Sequence, residues 1–163
     1  MFKWGIIGTG GIARAFADDI TNLGNHKVCA VLSRNIETAD KFSHSINDCL
    51  GYDDQHAFLN DDNIDAVYVA TPNTLHCDQT ISALKSNKPT LCEKPFSMNA
   101  DEAHLMIQAS KKFSTTLLDG MWMRYLPHIL RLKEILNEGH IGDMQSIYAC
   151  HGQNLQWSKN PRL

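Results

Sequence analysis

The chain lacks the features that mark most specialised classes. No apolar run approaches the roughly 20 residues of a membrane helix, and there is no internal repeat or low-complexity tract. There is no basic surplus: 15 Lys and Arg stand against 18 Asp and Glu, for a formal net charge of −3. The basic residues are scattered, so neither nucleic acid nor an anionic membrane is expected as a partner. The one tight pair, Lys111–Lys112, falls where a helix should end, which the helix dipole explains. There is no C-x-x-C. The cysteines (Cys29, Cys49, Cys77, Cys92 and Cys150) are odd in number and widely spaced, as in a cytoplasmic protein with reduced thiols, several buried as small hydrophobes. The eight histidines form no H-x-x-x-H or H-E-x-x-H pattern, so scattered surface or capping roles are expected and no metal. The opening M-F-K-W-G-I-I-G reads as a strand; its glycines come too early for a signal peptide.

What is present is alternation. The 163 residues, 43% hydrophobic, suffice for one domain, or one domain plus part of another. F-K-W-G-I-I-G predicts a strand, and a helix follows from about Gly11 to Leu23. K-V-C-A-V-L-S is a second strand, followed by a helix burying Ala39 and Phe42. C-L-G-Y is a short third strand and D-D-Q-H-A-F-L-N a helical turn. D-A-V-Y-V-A-T, nearly all apolar, reads as a strand covered on both faces. P-N-T-L-H then leads into a helix to about Lys85, and K-P-T-L-C is a fifth strand. Asn99 with Glu102 forms a capping box, and Ala103, Met106, Ile107 and Ser110 define one helix face. T-T-L-L-D-G is a sixth strand. Alternation of this kind predicts an α/β fold, a doubly wound parallel sheet. After Gly120 the pattern changes to a longer helix over 126–138, stopped by Gly139, and then a strand in M-Q-S-I-Y-A-C-H-G.

The chemistry begins at G-T-G-G-I-A, residues 8 to 13, between the first strand and first helix. Gly8 permits a tight turn, Gly10 lets backbone approach a pyrophosphate, and Ala13 allows close helix–strand packing. Gly11 and Ile12 open the helix whose free N–H groups face the phosphates. The strand before and the helix after supply the context for dinucleotide binding on a Rossmann-type sheet; the alternative is a purely structural turn. At the end of the second strand, where an NAD site usually has Asp or Glu, stand Ser33, Arg34 and Asn35. A carboxylate repels a 2′-phosphate, whereas a hydroxyl and a guanidinium bind it. NADP is therefore expected before NAD; otherwise Arg34 is a solvated loop charge.

These stretches resemble the glucose–fructose oxidoreductase/inositol dehydrogenase (Gfo/Idh/MocA) family. The resemblance rests on G-I-I-G-T-G-G-I-A, V-A-T-P-N-T-L-H, C-E-K-P-F-S and the region from W-M-R-Y-L-P to H-I-G-D, in the family's order from Lys3 to about Asp143. Glu93-Lys94-Pro95 is the most specific piece. Trp122-x-Arg124 looks most like the dihydrodiol dehydrogenase and anhydrofructose reductase branch, which uses NADP. The resemblance implies an oxidoreductase of sugars, polyols or diols. It places Lys94 beside the nicotinamide as the catalytic residue that orients the substrate oxygen and helps move its proton. Crowding an ammonium against a second cation, partly out of water, favours its neutral form and suits proton exchange. By the same resemblance Glu93 and Pro95 belong to the cofactor site, Pro95 fixing backbone under the nicotinamide. Thr71, Pro72 and Asn73 line the crevice. His76 either stands close to it or is a helix-start histidine with a structural hydrogen bond. Trp122 and Arg124 either touch the cofactor or, for Trp122, fill core.

The resemblance also implies a division at Gly120: residues 1–120 as the dinucleotide-binding domain, and 121–163 as the linking helix and first strand of a truncated second α/β domain. Family members carry in that domain an acid–base histidine after a glycine-rich run; His140 and His151 come too early for it. The chain is thus expected to be the front part of a longer enzyme, associating through residues after Gly120 into a homo-oligomer. The rival expectation is a stand-alone nucleotide-binding module without turnover, and the least favoured a structural fragment.

Overall fold

The structure is a computed structural model that describes residues 1–150 and Gly152. Its strands are β1 (Phe2–Ile7), β2 (His26–Leu32), β3 (Leu50–Tyr52), β4 (Ala66–Val69), β5 (Thr90–Glu93) and β6 (Leu117–Gly120). Its helices are α1 (Gly11–Thr21), α2 (Ile36–Ser43), α3 (Gln55–Leu59), α4 (His76–Lys85), α5 (Ala100–Phe113) and α6 (Pro127–Asn137), with 3-10 turns at Asn73–Leu75 and Trp122–Tyr125. The chain divides into two compact units, Met1–Met121 and the residues from Trp122 onward.

In the first unit all strands run parallel in one sheet of order β3-β2-β1-β4-β5-β6. The chain winds outward from β1 through β2 to β3, then returns to β4 on the other side of β1. That reversal creates a switch point between β1 and β4, outside their carboxyl ends, where open α/β sheets bind ligands. Strand periodicity splits the core into two layers. Ile6, Val28, Val31 and Tyr68 face α1 and α2, meeting Ala13, Ala17, Ile20, Ala39 and Phe42. Ile7, Val67, Val69 and Cys92 face the other side, meeting Phe58, Cys77, Ala83 and Met106 from α3, α4 and α5. Every residue of β4 is buried, as expected of a parallel strand covered on both faces.

Three helices start on side-chain caps. Asn35 accepts from the N–H groups of Glu37 and Thr38, and Asp54 from those of His56 and Ala57. Asn99 accepts from Glu102 N–H at 2.9 Å. The Glu102 carboxylate reaches back to Met98 N–H at 3.0 Å, one residue beyond the usual capping-box donor. The predicted α5 face needs one correction. Met106 and Ala109 are buried but Ile107 is 43% exposed. Met106 shares a buried cluster with Cys77 and Ala83 of α4, and Ile107 lies a residue's rotation, about 100°, away from Met106.

The second unit holds the predicted long helix. Pro127 opens α6, where a missing N–H costs nothing. Gly139, at φ +74°, closes it: Gly139 N–H donates to Leu136 O at 3.1 Å and His140 N–H to Ile135 O at 3.4 Å, the Schellman pairing. The predicted strand over 144–152 is not formed at 144–150; His151 lies outside the described residues. A strand exists through its ladder, and no described residue pairs with this stretch. No described helix is long and apolar enough to cross a membrane.

Candidate functional site

The β1–α1 connection is built from glycines in two different ways. Gly8 donates its N–H to Leu32 O at 2.9 Å and has φ +112°. A Cβ there would lie 2.8 Å from Ala70 O, so both the backbone angle and the neighbouring strand demand glycine. Gly10 and Gly11 are the opposite case: a Cβ on either would meet nothing within 4 Å. Gly10 is the N-cap of α1, with no side-chain cap and no acidic residue in the first turn. The first-turn N–H groups of α1, from Gly11 to Ala13, therefore have no capping side chain, and exposed Ile12 lies among them. Ala13 is fully buried in the layer beneath, the close packing predicted for it.

At the end of β2, Ser33 is half-buried and gives its N–H to Tyr52 O at 2.9 Å. Arg34 is exposed, and the ion pairs among the described residues lie elsewhere. The Asn35 side chain is occupied by capping α2.

Beyond β4, Ala70 N–H donates to Ile7 O at 2.9 Å, tying the two sides of the switch point together. The Thr71 hydroxyl donates to Gln79 Oε1 at 2.6 Å, which turns it toward α4. Pro72 is exposed and Asn73 half-buried at the start of the 3-10 turn. His76 takes the second of its two predicted forms. It is 1% exposed, with Nδ1 2.9 Å from Pro95 O and Nε2 2.9 Å from Thr71 O.

The end of β5 is held by side chains. Glu93 is buried; its Oε1 accepts from the Tyr68 hydroxyl at 3.0 Å and its Oε2 from Lys94 N–H at 2.8 Å. Burial, then the Glu93 charge and hydrogen bond, drive the Tyr68 phenol well above its ordinary range, so Tyr68 keeps its proton and stays a donor. The Tyr68 ring stacks on Phe16 of α1, with centroids 4.0 Å apart. The Lys94–Pro95 peptide bond is cis. Lys94 itself is exposed: the first unit does not withdraw it from water. Cys92 sits beneath, its thiol donating to Phe96 O at 3.5 Å.

This arrangement offers an uncapped helix N-terminus over an open glycine cradle, a guanidinium at the next strand end, and an exposed ammonium on a braced loop, all at the carboxyl edge of one sheet. The family model for an oxidoreductase family with an NAD-binding Rossmann fold matches residues 2–120. The chain belongs to the Gfo/Idh/MocA oxidoreductase family. Among curated members, it is 33% identical over 152 residues to trans-1,2-dihydrobenzene-1,2-diol dehydrogenase of Xenopus laevis, covering 92% of this chain and 46% of that protein. It is 33% identical over 153 residues to scyllo-inositol 2-dehydrogenase (NADP(+)) of Bacillus subtilis, covering 94% and 46%. A solved 3-ketoreductase from Actinomadura kijaniata, in complex with NADP and TDP-benzene, superposes with a TM-score of 0.77 at 26% identity, covering 87% of this chain and 44% of that one. The chain spans about half the length of the curated Gfo/Idh/MocA relatives it matches.

Trp122 and Arg124 lie in the 3-10 turn of the second unit, and both are exposed, so Trp122 is not core. Among the described residues no cluster of His, Cys, Asp or Glu is arranged to hold a metal ion. Tyr68 and Gln79 were not anticipated. A hydroxyl in an otherwise apolar strand was the available signal for Tyr68. Pairing it with Glu93 needs the β4–β5 register, in which Tyr68 aligns with Leu91 and so shares a face with Glu93 two residues on.

Proposed function

We propose that this chain is the cofactor domain of an NADP-dependent oxidoreductase acting on a sugar, polyol or related diol. The observation that carries the reading is the β1–α1 loop: α1 starts uncapped, with no first-turn acid, over glycines whose missing side chains leave space. Such a helix start suits a pyrophosphate, because its N–H groups and dipole both favour an anion. The preference for NADP rests on Ser33 and Arg34. Neither repels a 2′-phosphate, Arg34 is exposed, and the nearest amide side chain, Asn35, is engaged elsewhere. The inositol dehydrogenase named for NADP(+) and the 3-ketoreductase solved with NADP support it.

NADP(H), when bound, supplies the hydride acceptor or donor. Gly10 and Gly11 admit the diphosphate, and the N–H groups from Gly11 to Ala13 hold it. Lys94 presents its ammonium to the substrate oxygen, orients it and exchanges a proton with it. Glu93 and Pro95 belong to this site as the flanks that fix Lys94, and Thr71, Pro72 and Asn73 as the wall carried by β4.

Isothermal titration with NADPH and NADH, on wild type and Arg34→Ala, tests the reading. NADPH is expected to bind at least tenfold more tightly, since a charge-assisted contact contributes about 1.5–3 kcal/mol. Arg34→Ala should remove most of that margin while leaving NADH affinity unchanged. Equal affinities in wild type would overturn the NADP assignment, and no binding of either would overturn the reading.

A further inference from the structure

The lysine loop is gripped from both faces of the sheet, and the grip on the α4 side is a single histidine. On the α1 side, Tyr68 holds the Glu93 carboxylate, which holds the N–H of Lys94. On the other side, His76 opens α4 with one ring nitrogen on Pro95 O and the other on Thr71 O, each at 2.9 Å. The ring is 1% exposed, so it offers nothing to a ligand directly. Instead it lies between two acceptors, the carbonyl just after Lys94 and the carbonyl at the crevice edge of β4. Thr71 is fixed in turn, because its hydroxyl donates to Gln79 three residues along the same helix. A neutral imidazole donates through one nitrogen only, so the tautomer decides which carbonyl is held.

From this geometry we infer that His76 is a positioning residue for Lys94: its Nδ1–H, donated to Pro95 O, ties the lysine loop to the start of α4. The inference rests on the proposed cofactor reading for its consequence, since the loop so placed is the one that meets the nicotinamide end. It does not rest on that reading for its geometry.

Two substitutions separate the nitrogens. The amide nitrogen of asparagine falls near the place of Nδ1, and that of glutamine near Nε2. His76→Asn therefore keeps a donor at Pro95 O, whereas His76→Gln places its donor at Thr71 O instead. Amide hydrogen exchange at Lys94, read by NMR without nucleotide, is expected to quicken about tenfold in His76→Gln and to stay near wild type in His76→Asn. Titration with NADPH and with adenosine 2′,5′-bisphosphate, which lacks the nicotinamide, follows. The NADPH advantage over the bisphosphate should fall in His76→Gln and be retained in His76→Asn, while bisphosphate affinity stays constant. Equal behaviour of the two variants would overturn the inference. So would long-range 1H–15N correlation on wild type showing Nδ1 without a proton, a measurement that needs no variant to fold. If wild type binds neither nucleotide but the exchange contrast holds, the cofactor reading fails and the positioning of Lys94 stands.

Discussion

The two ends of the crevice are made from opposite materials. At the β1–α1 end the working surface is backbone, and side chains are missing where a ligand would sit: Gly10 and Gly11 face space. At the β5 end the proposed working group is one exposed side chain, Lys94, and its backbone is held by others: Tyr68 and Glu93 from one face, His76 from the other. A diphosphate has the same shape in every dinucleotide, so a bare helix start can receive it. An ammonium on four methylenes has no fixed position of its own, and only its backbone can be braced.

The sharpest way to break this contrast lies within the glycine loop. Gly8→Val should cost about 4 kcal/mol or more, combining left-handed strain with a Cβ 2.8 Å from Ala70 O, and urea denaturation should find the variant largely unfolded. Gly10→Val should melt close to wild type yet lose NADPH affinity by about 100-fold or more, roughly 2.7 kcal/mol, because its side chain enters open space. If Gly10→Val unfolds the protein, the cradle is structural and the contrast collapses. At the lysine end, Tyr68→Phe leaves a buried carboxylate oxygen without its donor, and a loss of about 1.5–3 kcal/mol is expected in the same denaturation assay. A variant as stable as wild type would show that Glu93 is not braced from the α1 face.

The smallest effect is a pH dependence. Burial pushes the Cys92 thiol from 9.0 up to about 11. The unfolded chain then loses this proton first as pH rises, so the stability it contributes is complete below pH 9 and declines toward pH 11. Cys92→Ala should flatten that decline by a few degrees in melting temperature between pH 8 and 11. Parallel curves for the two proteins would remove the thiol from the account.

Much of the β1–α1 end was legible in the sequence because glycine is itself the signal. Gly8, Gly10 and Ala13 each sit at a spacing that only backbone geometry explains. The doubly wound parallel sheet follows from the alternation of strands and helices. The bracing of the lysine end was not legible. Nothing in Y-V-A-T-P-N-T-L-H says that Tyr68 reaches Glu93, 25 residues on, or that His76 spans two carbonyls. The Tyr68–Glu93 pairing depends on the β4–β5 register, which a linear pattern does not carry. Ile107 misled for a related reason: its spacing fits a helix face, but the neighbour that α5 meets chooses which face is covered. The 144–150 stretch misled because alternation marks a capacity to pair, while pairing needs a second strand.

α2, α3 and α5 close their first turns with their own side chains, whereas α1 does not. Its earliest amides find no partner among the side chains of its own first turn. An anion seated there supplies the partner that the chain withholds from itself. Local opening at Gly11 to Ala13 is thereby coupled to occupancy, and each increment of bound ligand is stored as resistance to unfolding. The bare helix start is thus a built-in reporter: the heat the protein withstands registers how much of it is carrying nucleotide.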